Sequence, residues 1–149
     1  MLHGKTHMAL GADGEEAAAR YLAELGWRLC ERNWRPGGAG HGLELDIIAR
    51  CKDCLIFVEV KTRTSGPGAQ KDAGGGIPVY ASFTARKRAR LLRAAGLYLS
   101  LHDCWHQPCR FDLICVRKEP EGRLILEHHC NVIELRDLMD SGDSAWQPW

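Results

Sequence analysis

Two short apolar runs carry acidic residues that a tight turn would bring together. Residues 43–50 (Leu-Glu-Leu-Asp-Ile-Ile-Ala-Arg) and 54–62 (Cys-Leu-Ile-Phe-Val-Glu-Val-Lys-Thr) flank the segment Cys51-Lys-Asp-Cys54. With Lys52 and Asp53 at the centre of a hairpin, Ile48 faces Phe57, Asp46 faces Glu59 and Glu44 faces Lys61. Side chains alternate across a strand, so the last two pairs share one face. Opposed Cβ atoms lie about 4.5–5.5 Å apart, and two carboxylates placed there repel each other. A divalent cation between Asp46 and Glu59 would relieve that repulsion, with the Val60 carbonyl as a third oxygen ligand. Lys61, two residues beyond Glu59, falls on the same face.

This set suits phosphodiester hydrolysis. A metal there binds a phosphate oxygen and lowers the pKa of an attacking water. A nearby cation, here Lys61, positions or deprotonates that water and meets the developing negative charge. The competing reading is a cross-strand charge network on a solvated sheet face. Both strands are otherwise strongly apolar, which implies burial on at least one side and weakens it.

The elements that must position these residues follow from periodicity. Residues 11–25 read as an amphipathic helix, with Ala18, Tyr21, Leu22 and Leu25 on one stripe and Gly26 as its stop. Glu15 lies at the edge of that stripe, able to reach a site on the sheet, whereas Glu16 points into solvent. The alternative role for Glu15 is to stabilise the helix N-terminus through the macrodipole. Residues 27–34 form a strand candidate with Trp27, Leu29, Glu31 and Asn33 alternating against Arg28, Cys30, Arg32 and Trp34. A glycine-rich turn over 36–42 precedes the hairpin; it opens a strand rather than a helix, so it is no phosphate loop. A second helix is expected over 84–101, apolar at Leu91, Leu92, Ala95, Tyr98 and Leu99. Strands over 110–117 and 123–129 surround a turn at Pro120-Glu-Gly122, and 132–139 is a short closing segment. Residues 64–80 read as a mobile loop and 140–149 as a loose tail. The order of elements indicates an α/β architecture, a mixed sheet with helices packed on it.

The second helix also carries Arg86, Lys87, Arg88, Arg90 and Arg93, five cations within eight residues. Arg86, Arg90 and Arg93 line one side and could contact successive phosphates without reading sequence. Arg63 shares the face of Lys61. The net charge of +1 supplies no global field, so any nucleic-acid argument rests on these local clusters. Aromatics for base stacking are few, which disfavours single-strand readout.

At 149 residues with 45% hydrophobic and 26% charged content, the chain fits one globular domain over 1–149. No 18-residue apolar run and no leader pattern stand out, so a soluble cytoplasmic protein without a membrane partner is expected. Seven cysteines are an odd number and argue against a closed disulfide framework. Cys51-x2-Cys54 with Cys104-x4-Cys109, helped by His102, His106, His128 and His129, could be read as a zinc site. The looser second spacing favours another reading: Cys51 and Cys54 flank a turn, while Cys30, Cys115 and Cys130 are small core residues on strands.

Gly11-x-x-Gly-Glu15, Ala18 to Leu22, Gly26, Asn33, Glu44-Leu-Asp-Ile-Ile-Ala49, Phe57-Val-Glu-Val-Lys-Thr-Arg63, Lys87 and Arg110-Phe-Asp112 together resemble the YraN-type family of bacterial proteins. The resemblance spans residues 9–135, and Val-Glu-Val-Lys-Thr-Arg is its most specific part. That family is placed in the PD-(D/E)xK nuclease superfamily, near the Holliday junction resolvases and restriction endonucleases. The resemblance implies a restriction-endonuclease-like three-layer fold, a central mixed sheet flanked by helices. It implies Asp46, Glu59 and Lys61 as the nuclease triad, Glu15 as the extra helix-borne acid, Mg²⁺ or Mn²⁺ as cofactor and DNA, including branched DNA, as partner. One departure is Leu43, where the family usually has glycine; Gly42 stands one residue earlier. Two other classes remain: a binding module that keeps the fold without turnover, and a zinc-stabilised interaction domain. The oligomeric state is left open between monomer and dimer.

Overall fold

The computed structural model describes residues 3–37, 42–64 and 83–133, with side chains of the first helix from Asp13 onward. The closing segment over 132–139 beyond Ile133, the loop over 64–80 beyond Thr64 and the tail lie outside the described residues. Seven elements follow in order: α1 (His3–Glu24), β1 (Arg28–Trp34), β2 (Leu45–Cys51), β3 (Cys54–Thr64), α2 (Ala85–Leu101), β4 (Cys109–Lys118) and β5 (Leu124–His129). The strands form one sheet in the order β1-β2-β3-β4-β5. All neighbours are antiparallel except β3 and β4, which run parallel with α2 in the connection between them.

The two helices belong to separate apolar clusters. Ala18, Ala19 and Leu22 of α1 join Ile47, Ala49, Ile56, Val58, Ile114 and Val116. Leu91, Ala94, Ala95, Tyr98 and Leu99 of α2 join Ile48, Leu55, Phe57, Phe111, Leu113 and Cys115. Successive β3 residues thus enter opposite clusters, and the sheet is the middle of three layers in an α/β fold. Each aliphatic side chain buried here contributes about 1.5–3 kcal/mol. β3 and β4, covered on both sides, are the near-continuous apolar runs expected of central strands.

Three details depart from the expected elements. α1 begins at His3 rather than Gly11, so Glu15 lies roughly three turns inside it and cannot serve the helix N-terminus. Leu25 falls past the last turn of α1, where Gly26 at φ +86° redirects the chain, and it is 50% exposed instead of packed. The alternation of β1 breaks between Leu29 and Glu31, where Cys30 is an extra residue against β2 and the register shifts. α2 starts as expected: the Thr84 hydroxyl accepts from the Lys87 N–H at 3.2 Å and caps the helix.

Candidate active site

The hairpin has the expected register, with Cys51 opposite Cys54, Ile48 opposite Phe57 and Ile47 opposite Val58. The ladder stops there, one residue short of Asp46 and Glu59. Beyond the end of the ladder with β2, the Val60 N–H donates to Asp46 Oδ2 at 2.8 Å. The N–H and C=O of one strand residue point the same way, because a hydrogen-bonded pair exchanges both. The Val60 carbonyl is therefore on the side of Asp46. Asp46 also meets Glu59 carboxyl to carboxyl. Burial, then the charge of Glu59, pushes the Asp46 carboxyl up to about 8. Two acids in contact, one of them forced towards its neutral form, make a strong demand for positive charge.

Two lysines answer part of it. Lys87, from the first turn of α2, places Nζ 2.6 Å from Glu59 Oε1, with only 10% of the Glu59 side chain exposed. The Lys87 amino group also lies against that of Lys61. That contact, with burial adding to it, pulls the Lys61 ammonium below its usual value. Burial works against the charge of Lys87 as well, but its bonds to Glu59 and Lys61 outweigh that, and it is held above its usual value.

Glu15 reaches the site from the other helix. A Cβ at Gly14 would collide with the Thr62 hydroxyl, so the glycine lets α1 close onto β3. Glu15, half-buried, then adds the weakest of the contributions that raise Asp46. Its neighbour Glu16 is exposed and pairs with Arg32 at 2.8 Å. Glu44 does not pair with Lys61, because the strands have parted; it bonds Arg35 at 3.2 Å instead.

A cleft of about 550 Å³ opens above the carboxylates. Asp46, Glu59 and Glu44 line one part of it; Arg86, Lys87 and Arg90 of α2 line the other. Gly42, at φ +63°, edges the cleft and accepts from the Arg90 guanidinium through its carbonyl. A Cβ at this position would lie 2.9 Å from Arg90 Nη2, so the glycine one residue before Leu43 gives the arginine its place. Arg86, Arg90 and Arg93 are exposed together, whereas Arg88 turns back to the Phe83 carbonyl at 3.3 Å. Arg63 is exposed too, and its charge helps to lower Lys61.

The donor set around Asp46 and Glu59 is oxygen only, and it is short of positive charge. It fits a hard divalent cation such as Mg²⁺ or Mn²⁺ better than zinc. The suggested zinc constellation does not assemble. Cys51 and Cys54 flank the turn, and Cys115 is buried as expected, but Cys130 is exposed rather than in the core. Among the described residues, the group of three potential ligands lying within 4.8 Å of one another is Asp112, His128 and Cys130.

That second cluster has a different character. Asp112 Oδ1 accepts from Arg110 Nε at 2.8 Å and from the Asn131 N–H at 3.0 Å. Oδ2 accepts from Arg110 Nη2 at 2.9 Å and from His128 Nε2 at 2.8 Å. The Tyr21 hydroxyl supports the other ring nitrogen of His128 at 3.2 Å. Burial pushes the Asp112 carboxyl up, but the bonds from His128, Arg110 and Asn131 outweigh it and hold it below the ordinary range. All four of its lone-pair positions are taken, so it ties β4, β5 and α1 together instead of awaiting a cation.

From sequence, Lys87 is a nucleic-acid-binding cation of the second helix beside the Arg86, Arg90 and Arg93 stripe. The signal against that is its spacing: Lys87 lies four residues before buried Leu91 and eleven before Tyr98, on the inward stripe of α2. The role of Asp112 was legible only as one member of a motif. Comparison with known proteins agrees with the earlier resemblance. Residues 14–116 match the model of the uncharacterised protein family UPF0102. A UPF0102 protein of Nitratidesulfovibrio vulgaris (strain DP4) is 42% identical over 142 residues, 95% of this chain and 96% of the relative. One from Lawsonia intracellularis is 39% identical over 94% of this chain and 96% of its own length. One from Chlorobaculum parvum is 47% identical over 72% of this chain and 74% of its own. With β1 to β3, α2 and every acid of the candidate site inside the matched segment, the chain belongs to the UPF0102 family.

Proposed function

We propose that this protein is a divalent-metal-dependent nuclease that hydrolyses phosphodiester bonds in DNA, branched DNA included. The observation that carries the reading is the contact between half-buried Asp46 and buried Glu59, with Lys61 and Lys87 beside it. Asp46 and Glu59, with the Val60 carbonyl, would hold Mg²⁺ or Mn²⁺. When bound, the ion supplies charge neutralisation at a phosphate oxygen and a more acidic water. Lys61 takes or orients the proton of that water, and Lys87 adds positive charge in the adjoining cleft. Glu15 adds negative charge from α1 at the rim. Arg63, Arg86, Arg90 and Arg93 supply cations for neighbouring phosphates.

The first turn of α2 adds support. It holds Arg86, Lys87 and Arg88 and no acid, although cations at a helix N-terminus are unfavourable by about 0.3–1 kcal/mol each. An anion in the adjoining cleft offsets that cost. A non-catalytic binding module would use the same cations, but it would have no use for a carboxylate pair in contact.

Incubation with linear, flapped and four-way DNA, in Mn²⁺ and in chelator, tests the reading. Metal-dependent cutting that Glu59→Gln abolishes is the expected result. Lys61→Ala should slow cleavage by about 10²-fold or more with little change in DNA affinity. Arg93→Ala should do the reverse, lowering the salt slope of binding by roughly one unit. Binding without cutting on every substrate leaves the module reading in its place.

A further inference from the structure

The five cations at the start of α2 do not share one role. Arg86, Arg90 and Arg93 face solvent or the cleft, and Arg88 is turned back on Phe83. Lys87 alone of the five has an ion pair with an acid of the site, 2.6 Å from Glu59 Oε1, and its Nζ also touches Lys61. Two amino groups thus crowd one carboxylate. A hard dication taking oxygen from Glu59 needs the lone pairs that Lys87 engages, and it repels the ammonium that engages them.

We infer that Lys87 is the resident counterion of Glu59, holding the place of the divalent cation and passing to a phosphate oxygen of the nucleic acid when the cation binds. This rests on the nuclease reading and deepens it, by making one residue the link between metal and substrate. Lys87 can make the exchange because its stem is a flexible four-carbon chain and 27% of it is exposed. Lys61 is fixed on β3, two residues from Glu59. The cleft beside Lys87 is lined by Arg86 and Arg90, so an amino group leaving Glu59 enters a cationic pocket suited to phosphate. Metal then strengthens phosphate binding and phosphate strengthens metal binding by the same factor.

The test uses the whole chain. Mn²⁺ is titrated calorimetrically into wild type, Lys87→Met (which keeps the unbranched stem and deletes the charge) and Lys87→Arg, all without DNA. In parallel, the affinity for a short duplex is measured with Ca²⁺ and in chelator. Lys87→Met should bind Mn²⁺ about tenfold tighter than wild type, and Lys87→Arg should not. The duplex should bind wild type several-fold tighter with Ca²⁺, and that gain should vanish in Lys87→Met. Wild type that binds Mn²⁺ no more weakly than Lys87→Met overturns the inference and leaves the metal site standing. Tighter Mn²⁺ binding with the duplex gain intact overturns the transfer to phosphate. If neither protein binds Mn²⁺, the nuclease reading fails and the inference with it.

Discussion

Asp46, half-buried, and Asp112, fully buried, are acids on the same sheet, and they are opposites. Asp112 takes four hydrogen bonds from Arg110, His128 and Asn131, and its carboxyl is held low. Asp46 receives one backbone N–H and faces a second acid, and its carboxyl is driven up to about 8. Burial opposes ionisation in both; the partners decide the outcome. A saturated carboxylate stitches elements together. An unsaturated one, next to another acid and under an open cleft, keeps acceptor positions that the chain leaves unfilled.

The comparison breaks most visibly at Asp112. Asp112→Ala strands the Arg110 guanidinium, the His128 ring N–H and the Asn131 N–H, and should cost about 3–5 kcal/mol in urea unfolding. The corresponding loss at the other acid, Asp46→Asn, should be neutral or stabilising in chelator, because it removes repulsion from Glu59. Equal losses from the two substitutions would erase the distinction drawn here.

Metal should act on one acid cluster and ignore the other. Free Mn²⁺ at about 100 times its dissociation constant adds roughly 2.7 kcal/mol at a single site. Thermal unfolding should show that gain in wild type and lose it in Glu59→Gln, while His128→Gln, whatever its own stability, should keep it. A wild-type melting temperature indifferent to both Mn²⁺ and Mg²⁺ would count decisively against the metal centre.

Acidity sharpens the contrast through its sign. The native Asp46 carboxyl, near 8 against an ordinary 3.8, binds a proton that the unfolded chain has already released between those values. Its contribution therefore favours the native state at low pH and is lost progressively as pH rises from about 4 to about 8. Asp112, held below 3.8, contributes stability above that value that disappears as pH falls through its native pKa. In chelator, the stability of Asp46→Asn relative to wild type should grow across pH 4–8 by more than about 1 kcal/mol, a single unit being worth about 1.4, and then level off. A flat difference across that window would place the carboxyl at its ordinary acidity.

Much of this protein is legible one segment at a time. The hairpin register follows from a two-residue turn and strict alternation, which by themselves bring Asp46 and Glu59 together. The second helix follows from its apolar spacing, and a mixed sheet from the order of strands and helices. Where neighbours in space but not in sequence decide the matter, local pattern fails. The ladder ends before Glu44, so that residue turns to Arg35. Leu25 is thrown outward by the chain reversal at Gly26, and Cys30 bulges out of its strand.

Residue types and short periods determined which acids and lysines this chain places on one strand face. Only the folding of α2 across the sheet decided that Lys87, and none of the four arginines around it, reaches Glu59. Only the docking of β5 and α1 decided that Asp112 is saturated. The physical reason is the same in both cases: a buried charge is defined by the partners around it, and those partners come from parts of the chain that meet only in three dimensions.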